Sequence, residues 1–319
     1  MKKFDKEKIV ANLLEHGVHL FGNVCDEKKI TYMYEKMLKK RAFGADLFLT
    51  EKEYLKQETH FNSNPTKERN FLNSFETELD FVEKHEKLQE TIKLILGEDY
   101  EVVIKKAICG VPFAWLPEWV EKRVANVNVA NLGPYIKPEY RDITYFRGID
   151  YHQDIIDWPK GSTDLDPASF ITVYVYLHEV TEYDSPLHIL PNSHKFGATL
   201  FPHKLVQKNT KQWNYQDDGV RSMSCDQLVL TGKVGFVGMW HNCTLHGTQP
   251  INNDAEKMRL SLRYLLAKSN KNQKRTGIDE VNELIAGDLA PVETRKDIDV
   301  KGRAKLLGNI INHKQTNTK

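Results

Sequence analysis

In the segment Tyr151-His152-Gln153-Asp154 an imidazole and a carboxylate stand one residue apart. On an extended strand, residues i and i+2 point to the same side, so His152 and Asp154 can reach one common partner. A neutral imidazole, a carboxylate and a second imidazole from elsewhere form the facial set that binds non-haem iron(II) and leaves its other coordination positions open. A His-x-Asp triplet also arises by accident about once in a chain of this length and composition. The segments downstream therefore decide between the two readings.

Two histidines follow the strand-like run GFVGMW, His241 and His246. His246 is the preferred third ligand, because Gly247 after it lacks a Cβ and allows close approach to a bound ligand. His241, beside Trp240, reads instead as a substrate-facing or supporting histidine. In Met258-Arg259-Leu260-Ser261-Leu262-Arg263, alternation puts Arg259, Ser261 and Arg263 on one face. The rigid guanidinium fork of Arg259, with the Ser261 hydroxyl, suits the distal carboxylate of a dicarboxylic cosubstrate. Lys257 and Arg263 lie within a strand slip of the same role, and an ordinary cross-strand ion pair is the alternative. In FITVYVYLHEV, Thr172, Tyr174, Tyr176 and His178 alternate with apolar residues. Thr172 and Tyr174 could contact the cosubstrate, or the strand could simply have one wet face. Asn126 and Asn128, on one face of ANVNVANL, are further candidates for cosubstrate contacts.

These residues need a scaffold that turns many short strands toward one another. After about Glu101 the chain runs in such strands: VVIKKAI, ANVNVANL, FITVYVYLHEV, QLVLTGKVGFVGM and RLSLRYLLAK. The first hundred residues read mainly as helices, with Ile9, Leu13 and Leu14 before Gly17, a short strand in VHLFGNV, and a second helix over 27–40 capped by Asp26. An amphipathic helix is expected within 76–96, stopped by Gly97 and covering a sheet. The pattern predicts one domain over residues 1–319, with a mainly helical part (1–100), a strand-rich core (101–268) and a C-terminal extension (269–319).

Composition narrows the function classes. With 45 Lys+Arg against 44 Asp+Glu, the chain lacks the basic footprint of a nucleic-acid binder. Four scattered cysteines without a C-x-x-C pair argue against a zinc ribbon or disulfide framework and for a reducing compartment. No run approaches the roughly 18 apolar residues of a membrane span, and the N-terminus lacks a signal-like pattern. The expectation is a cytoplasmic monomer or homodimer acting on a small molecule.

In this order of segments the sequence resembles the phytanoyl-CoA dioxygenase (phytanoyl-CoA hydroxylase-like) family of iron(II)/2-oxoglutarate oxygenases over most of its length. The helix-strand-helix opening is matched by LLEHGVHLFGNVCDEKKI and the His-Gln-Asp triplet by His152, Gln153 and Asp154. The pattern "GpLhviPGSHk.G" is matched by SPLHILPNSHKFG over 185–197, with Asn192 where glycine is usual, and "GDvl.f....lHgs..N" by residues 232–252. The segment GPYIKPEYRDITYF before His152 is longer than in shorter relatives. The resemblance implies a double-stranded β-helix, a cupin-like jelly-roll core wrapped by N-terminal helices. It also implies iron(II) on His152, Asp154 and His246, with 2-oxoglutarate and dioxygen as cosubstrates and release of succinate and carbon dioxide. Related halogenases carry a small residue in place of the carboxylate, so Asp154 favours hydroxylation.

Substrate contacts in such proteins come from loops at the barrel mouth, here FAWLPEWVEKR, DIIDWPKGSTD and the Trp240-His241 pair. Trp158, four residues after Asp154, resembles the ectoine hydroxylase pattern and implies a small polar or zwitterionic metabolite. The tryptophans could equally anchor loops. Two other readings stand beside the oxygenase: a cupin-like metal enzyme that uses no 2-oxoglutarate, and a non-catalytic binding module on the same scaffold.

Overall fold

The computed structural model describes residues 3–287 and 289, apart from 58–64, 126–128, 158–162, 200–202, 217–220, 249–256 and 273. Its helices are α1 (Lys3–His16), α2 (Glu27–Lys40), α3 (Glu51–Leu55), α4 (Asp80–Glu83), α5 (Glu86–Leu96), α6 (Glu118–Val124) and α7 (Gly277–Glu283). None is long and apolar enough to cross a membrane. The Asp26 carboxylate accepts from the backbone N–H groups of Lys28 and Lys29, a cap of about 1 kcal/mol, and α2 buries Ile30, Met33 and Met37 at helical spacing. The expected helix ending at Gly97 is two helices. His85 leaves the helical conformation at φ −69°, ψ 114°, and its ring accepts from the Leu88 N–H to start α5.

Thirteen strands follow the described chain: β1 (Val18–Asn23), β2 (Glu101–Gly110), β3 (Val129–Asn131), β4 (Thr144–His152), β5 (Phe170–Tyr176), β6 (Leu187–Ile189), β7 (Lys204–Gln207), β8 (Gln212–Gln216), β9 (Ser222–Asp226), β10 (Leu228–Leu230), β11 (Phe236–His241), β12 (His246–Thr248) and β13 (Arg259–Ala267). Their order is β1-β11-β5-β13-β2-β4-β12-β6-β10, with β3 beside β4. All neighbours along this path are antiparallel except β2 and β4, which meet in parallel from Ile108↔Thr144 to Gly110↔Phe146. From β4 onward the chain alternates between the β2 side (β5, β11, β13) and the β4 side (β6, β10, β12) of this junction. That alternation is the double-stranded β-helix that the resemblance implies.

Strand β5 lies between β11 and β13, and all seven of its residues are buried, so the wet face allowed by its alternation is absent. Ile171, Val173 and Val175 pack into the core that includes Ile30, Met33, Leu88, Ile92 and Ile95 of the N-terminal helices. Tyr174 and Tyr176 point the other way, toward Leu187, Ile189 and Leu230 on β6 and β10. The GPYIKPEYRDITYF segment joins the N-terminal part, through Leu49 N–H to Tyr135 O (2.8 Å) and Lys137 N–H to Leu47 O (2.9 Å), before it enters β4. A separate sheet β7-β8-β9 lies in the stretch between β6 and β10.

The joint between α1 and β1 is held from across the sheet. Gly17 adopts φ +70°, and a Cβ there would collide with the His194 ring. The Gly17 carbonyl accepts from His241 N–H and from Thr244 Oγ1. Asn192 stands at φ +72°, a left-handed conformation that Asn tolerates better than most residues. His194 donates from Nε2 to Leu14 O at 3.2 Å. Burial, followed by neighbouring His241, lowers the His194 pKa to about 3; burial lowers that of His241 to about 4. Both lie below the unfolded value near 6.5, so the unfolded chain takes up protons that the folded one refuses. Their stabilisation is therefore present above pH 6.5 and lost as pH falls toward 4. Thermal melts between pH 7 and pH 5 should show a loss of roughly 2 kcal/mol per histidine, a drop that His194→Gln reduces.

Candidate metal and cosubstrate site

Strand β12 runs antiparallel to β4 with His246 opposite His152, which brings two imidazoles side by side at 4.4 Å between ring centres. Asp154 begins the turn after β4. Its Oδ1 lies 3.9 Å from His152 Nε2 and its Oδ2 lies 3.6 Å from His246 Nε2. One donor atom from each of the three residues falls within 4.8 Å of the others. His152 donates from Nδ1 to Asp150 O at 3.0 Å, and His246 from Nδ1 to Thr244 O at 2.9 Å. Carbonyls only accept, so both Nδ1 atoms carry the proton and both Nε2 atoms offer a lone pair.

The charge states suit a divalent cation. Burial, then the neighbouring His246, lowers the His152 pKa to about 3 and keeps that ring neutral. Burial opposes ionisation of Asp154, but the Arg263 guanidinium and then His246 hold its carboxyl well below the usual carboxylate range. Arg263 Nη2 lies 2.7 Å from Asp154 Oδ2, and the Thr172 hydroxyl donates to the same oxygen at 2.9 Å. Two imidazoles with Nε2 turned to the site and one anchored carboxylate are a donor set that fits iron(II).

Gly247 is required by the fold more than by a ligand. A Cβ there would lie 2.7 Å from Ile149 O and 3.0 Å from Asp150 C, against the β4 backbone, so only glycine lets β12 approach closely enough to align the two histidines. Gln153, between His152 and Asp154, is fully buried and ties the turn to its surroundings. Its Nε2 donates to Gly197 O (2.8 Å) and Cys243 O (2.6 Å), while its Oε1 accepts from Thr199 N–H (2.9 Å).

Along β13, Arg259 is 1% exposed. Its Nη1 donates to Ser185 O and to Thr248 Oγ1, its Nε is buried without a partner, and no carboxylate pairs with it among the described residues. Ser261 Oγ, one turn of the alternation further, is likewise buried and unpartnered. A buried guanidinium and hydroxyl in this condition are costly unless an anion completes them, and a distal carboxylate does so. Lys257 is exposed and Arg263 pairs with Asp154, which leaves Arg259 as the orphaned cation of the three. Ile108, Tyr174, Leu187, Ile189 and Trp240 line the same interior.

Several predicted residues sit differently from expectation. The Thr172 hydroxyl, expected to face the cosubstrate, donates to Asp154 instead. Tyr174 contributes its ring, 5.9 Å from Trp240, and Trp240 in turn lies 5.0 Å from the His246 ring, as a wall of the chamber. His241 turns away from it. Its Nε2 meets Ala168 O and Asn282 Oδ1 and its Nδ1 accepts from Cys243 N–H, so both ring nitrogens serve the fold and none faces a substrate. Trp158, Asn126 and Asn128 lie outside the described residues. Sequence reasoning missed Gln153, visible only as the middle of the triplet.

The family model for phytanoyl-CoA dioxygenase (PhyH) matches residues 13–259. A probable alpha-ketoglutarate-dependent hypophosphite dioxygenase of Stutzerimonas stutzeri is 27% identical over 126 residues, covering 37% of this chain and 40% of that protein. The match thus spans two-fifths of the relative's length. Among solved structures, the epimerase SnoN in complex with Fe3+, alpha ketoglutarate and nogalamycin RO is 12% identical, covers 91% of this chain and 94% of its own, and has a TM-score of 0.51. EctD from S. alaskensis with 2-oxoglutarate and 5-hydroxyectoine is 13% identical over 97% of this chain and 84% of its own, with a TM-score of 0.49. The SnoN likeness is one of fold.

Replacing Gly247 by Ala should separate β12 from β4. The expected result is a loss of about 1–3 kcal/mol in denaturant unfolding and weaker binding of a divalent metal in equilibrium dialysis.

Proposed function

The chain belongs to the phytanoyl-CoA dioxygenase family, and from that premise we propose that it is an iron(II)- and 2-oxoglutarate-dependent oxygenase hydroxylating a small molecule. The observation that carries this reading is the buried Arg259, which no carboxylate pairs among the described residues, with its unpartnered Ser261, on the strand that also brings Arg263 to the metal triad. A cupin-like enzyme without 2-oxoglutarate, or a module without chemistry, gives no reason to bury such a cation.

His152, Asp154 and His246 would hold the metal, and Arg259 with Ser261 would hold the distal carboxylate. Bound iron(II) with 2-oxoglutarate supplies activation of dioxygen, with succinate and carbon dioxide as co-products. The protein's own part is positional. The Asp150 and Thr244 carbonyls fix both imidazole tautomers, Thr172 and Arg263 fix Asp154, and the apolar walls keep water from the chamber. For the substrate we read a small polar metabolite. The name of the S. stutzeri relative, with hypophosphite, supports that class. The four cysteines are buried free thiols, in keeping with a reducing compartment such as the cytoplasm.

His246→Ala should abolish iron(II) binding and the slow, substrate-free conversion of 2-oxoglutarate to succinate, followed by succinate release. Arg259→Ala should leave iron binding intact and raise the 2-oxoglutarate Kd at least tenfold, read from the metal-to-ligand charge-transfer absorption under anaerobic titration. Wild-type succinate formation in His246→Ala removes that residue from the metal set. An unchanged Kd in Arg259→Ala removes the cosubstrate assignment.

A further inference from the structure

Strand β1 turns its two faces to different places. Val18, opposite Trp240, is buried in the wall of the metal chamber. His19, opposite Met239, takes the other face, where Met239 joins the helix-backed core. His19 is 8% exposed, and its ring stands at right angles to Phe21 with 4.6 Å between centres. From α1 the Asn12 amide donates from Nδ2 to His19 Nδ1 at 3.0 Å. An amide nitrogen only donates, so Nε2 carries the proton of the neutral ring. That atom has no hydrogen-bond partner among the described residues, yet it is not among the fully buried, unsatisfied atoms. The N–H therefore opens onto accessible space.

The space is a cleft of about 660 Å³, within the size range of small-molecule sites. Ile9, Val18, Leu20, Pro191 and Leu228 supply its apolar lining, and Lys8 from α1 and Lys87 from α5 supply charge. Both lysines are exposed, and neither ammonium pairs with a carboxylate among the described residues. Burial, then Lys87 and Lys8, lowers the His19 pKa to about 4, and no carboxylate acts in the opposite sense. The imidazole is thus neutral at physiological pH, and the two cations beside it have no opposing charge. The other charged groups of the lining are engaged elsewhere. His16 lies 3.6 Å from Glu15, and Asp226, on β9, accepts from the Gln212 amide at 3.2 Å.

We propose that this cleft binds a small organic anion, a carboxylate or phosphate monoester carried on an apolar body, at a site separate from the metal chamber. Lys8 and Lys87 take the charge, the His19 Nε2–H donates to one of the anionic oxygens, and the apolar lining receives the body. Asn12 and Phe21 hold the ring in place before a ligand arrives, which lowers the ordering cost of binding.

Calorimetry on the full-length protein tests this, with phenyl phosphate and benzoate as probes and benzyl alcohol as the uncharged control. One titration follows addition of zinc and 2-oxoglutarate, which fill the metal chamber, and a second is run without them. The expected result is saturable binding of an anionic probe, of equal affinity within twofold in the two titrations and weakened by salt. Benzyl alcohol should bind at least tenfold more weakly. Preference for phenyl phosphate over benzoate identifies a phosphate ligand, and the reverse a carboxylate. The Lys8→Gln, Lys87→Gln double variant, at two exposed helix positions, should weaken the preferred probe at least tenfold. His19→Phe should weaken it at least fivefold, and the lysine variant carries the test should His19→Phe fail to fold. No saturable binding of either anion overturns the site, as does displacement of the probe by 2-oxoglutarate. An affinity within twofold of wild type in the double lysine variant overturns it too. Failure of the wild-type protein to bind zinc and 2-oxoglutarate strikes the oxygenase reading instead, and the second titration still decides the cleft.

Discussion

The arrangement depends on one backbone ladder, the antiparallel pairing of β12 with β4. That register sets His246 opposite His152, and its tightness rests on a residue without a side chain at position 247. A slip by one residue turns every side chain of a strand to the other face. Here it would carry the second imidazole out of the chamber while leaving the rest of the fold largely in place. Asp154 lies beyond the ladder, in a turn, and is held instead by contacts from two strands of the opposite layer, Thr172 on β5 and Arg263 on β13. The triad of His152, Asp154 and His246 is therefore the point where the two halves of the jelly roll are fastened to each other.

Much of this was legible in the residues because strand alternation is a local property. The i, i+2 spacing of His152 and Asp154, the face shared by Arg259, Ser261 and Arg263, and the Asp26 cap of α2 all follow from a few neighbouring residues. What was not legible depends on what another strand presents. Nothing in FITVYVY says that the Thr172 hydroxyl meets a carboxylate eighteen positions earlier. Nothing near Trp240-His241 says that one ring faces the chamber and the next is claimed by Asn282 on a helix near the end of the described chain. The break between α4 and α5 was hidden for a similar reason, since His85 also bonds to Val24 O from a distant loop. The sheet β7-β8-β9 was missed because its strands are short and largely polar. Its apolar residues nonetheless cluster with Tyr151, immediately before His152.

Strand β13 distributes its charges by depth. Arg259 is held by Ser185 and Thr248, while Arg263 sits beside Asp154 with some access to solvent. The apolar residues between them on the other face, Leu260 and Leu262, are fully buried in the helix-backed core. One strand thus anchors the hydrophobic layer with alternate residues and lines a polar chamber with the rest. Both faces of the strand are consequently constrained, which leaves the loops at the mouth as the natural place for substrate range to vary.

Arg259, a cation without an opposing charge among the described residues, has an effect on the folded protein as a whole. A guanidinium enclosed without an opposing charge raises the free energy of the empty native state, and an anion that completes it lowers that energy by mass action. Under the proposed role, the fraction of chains that stay folded in the cell would rise and fall with the supply of dicarboxylate. The abundance of the protein, as well as its turnover, would then follow central carbon metabolism.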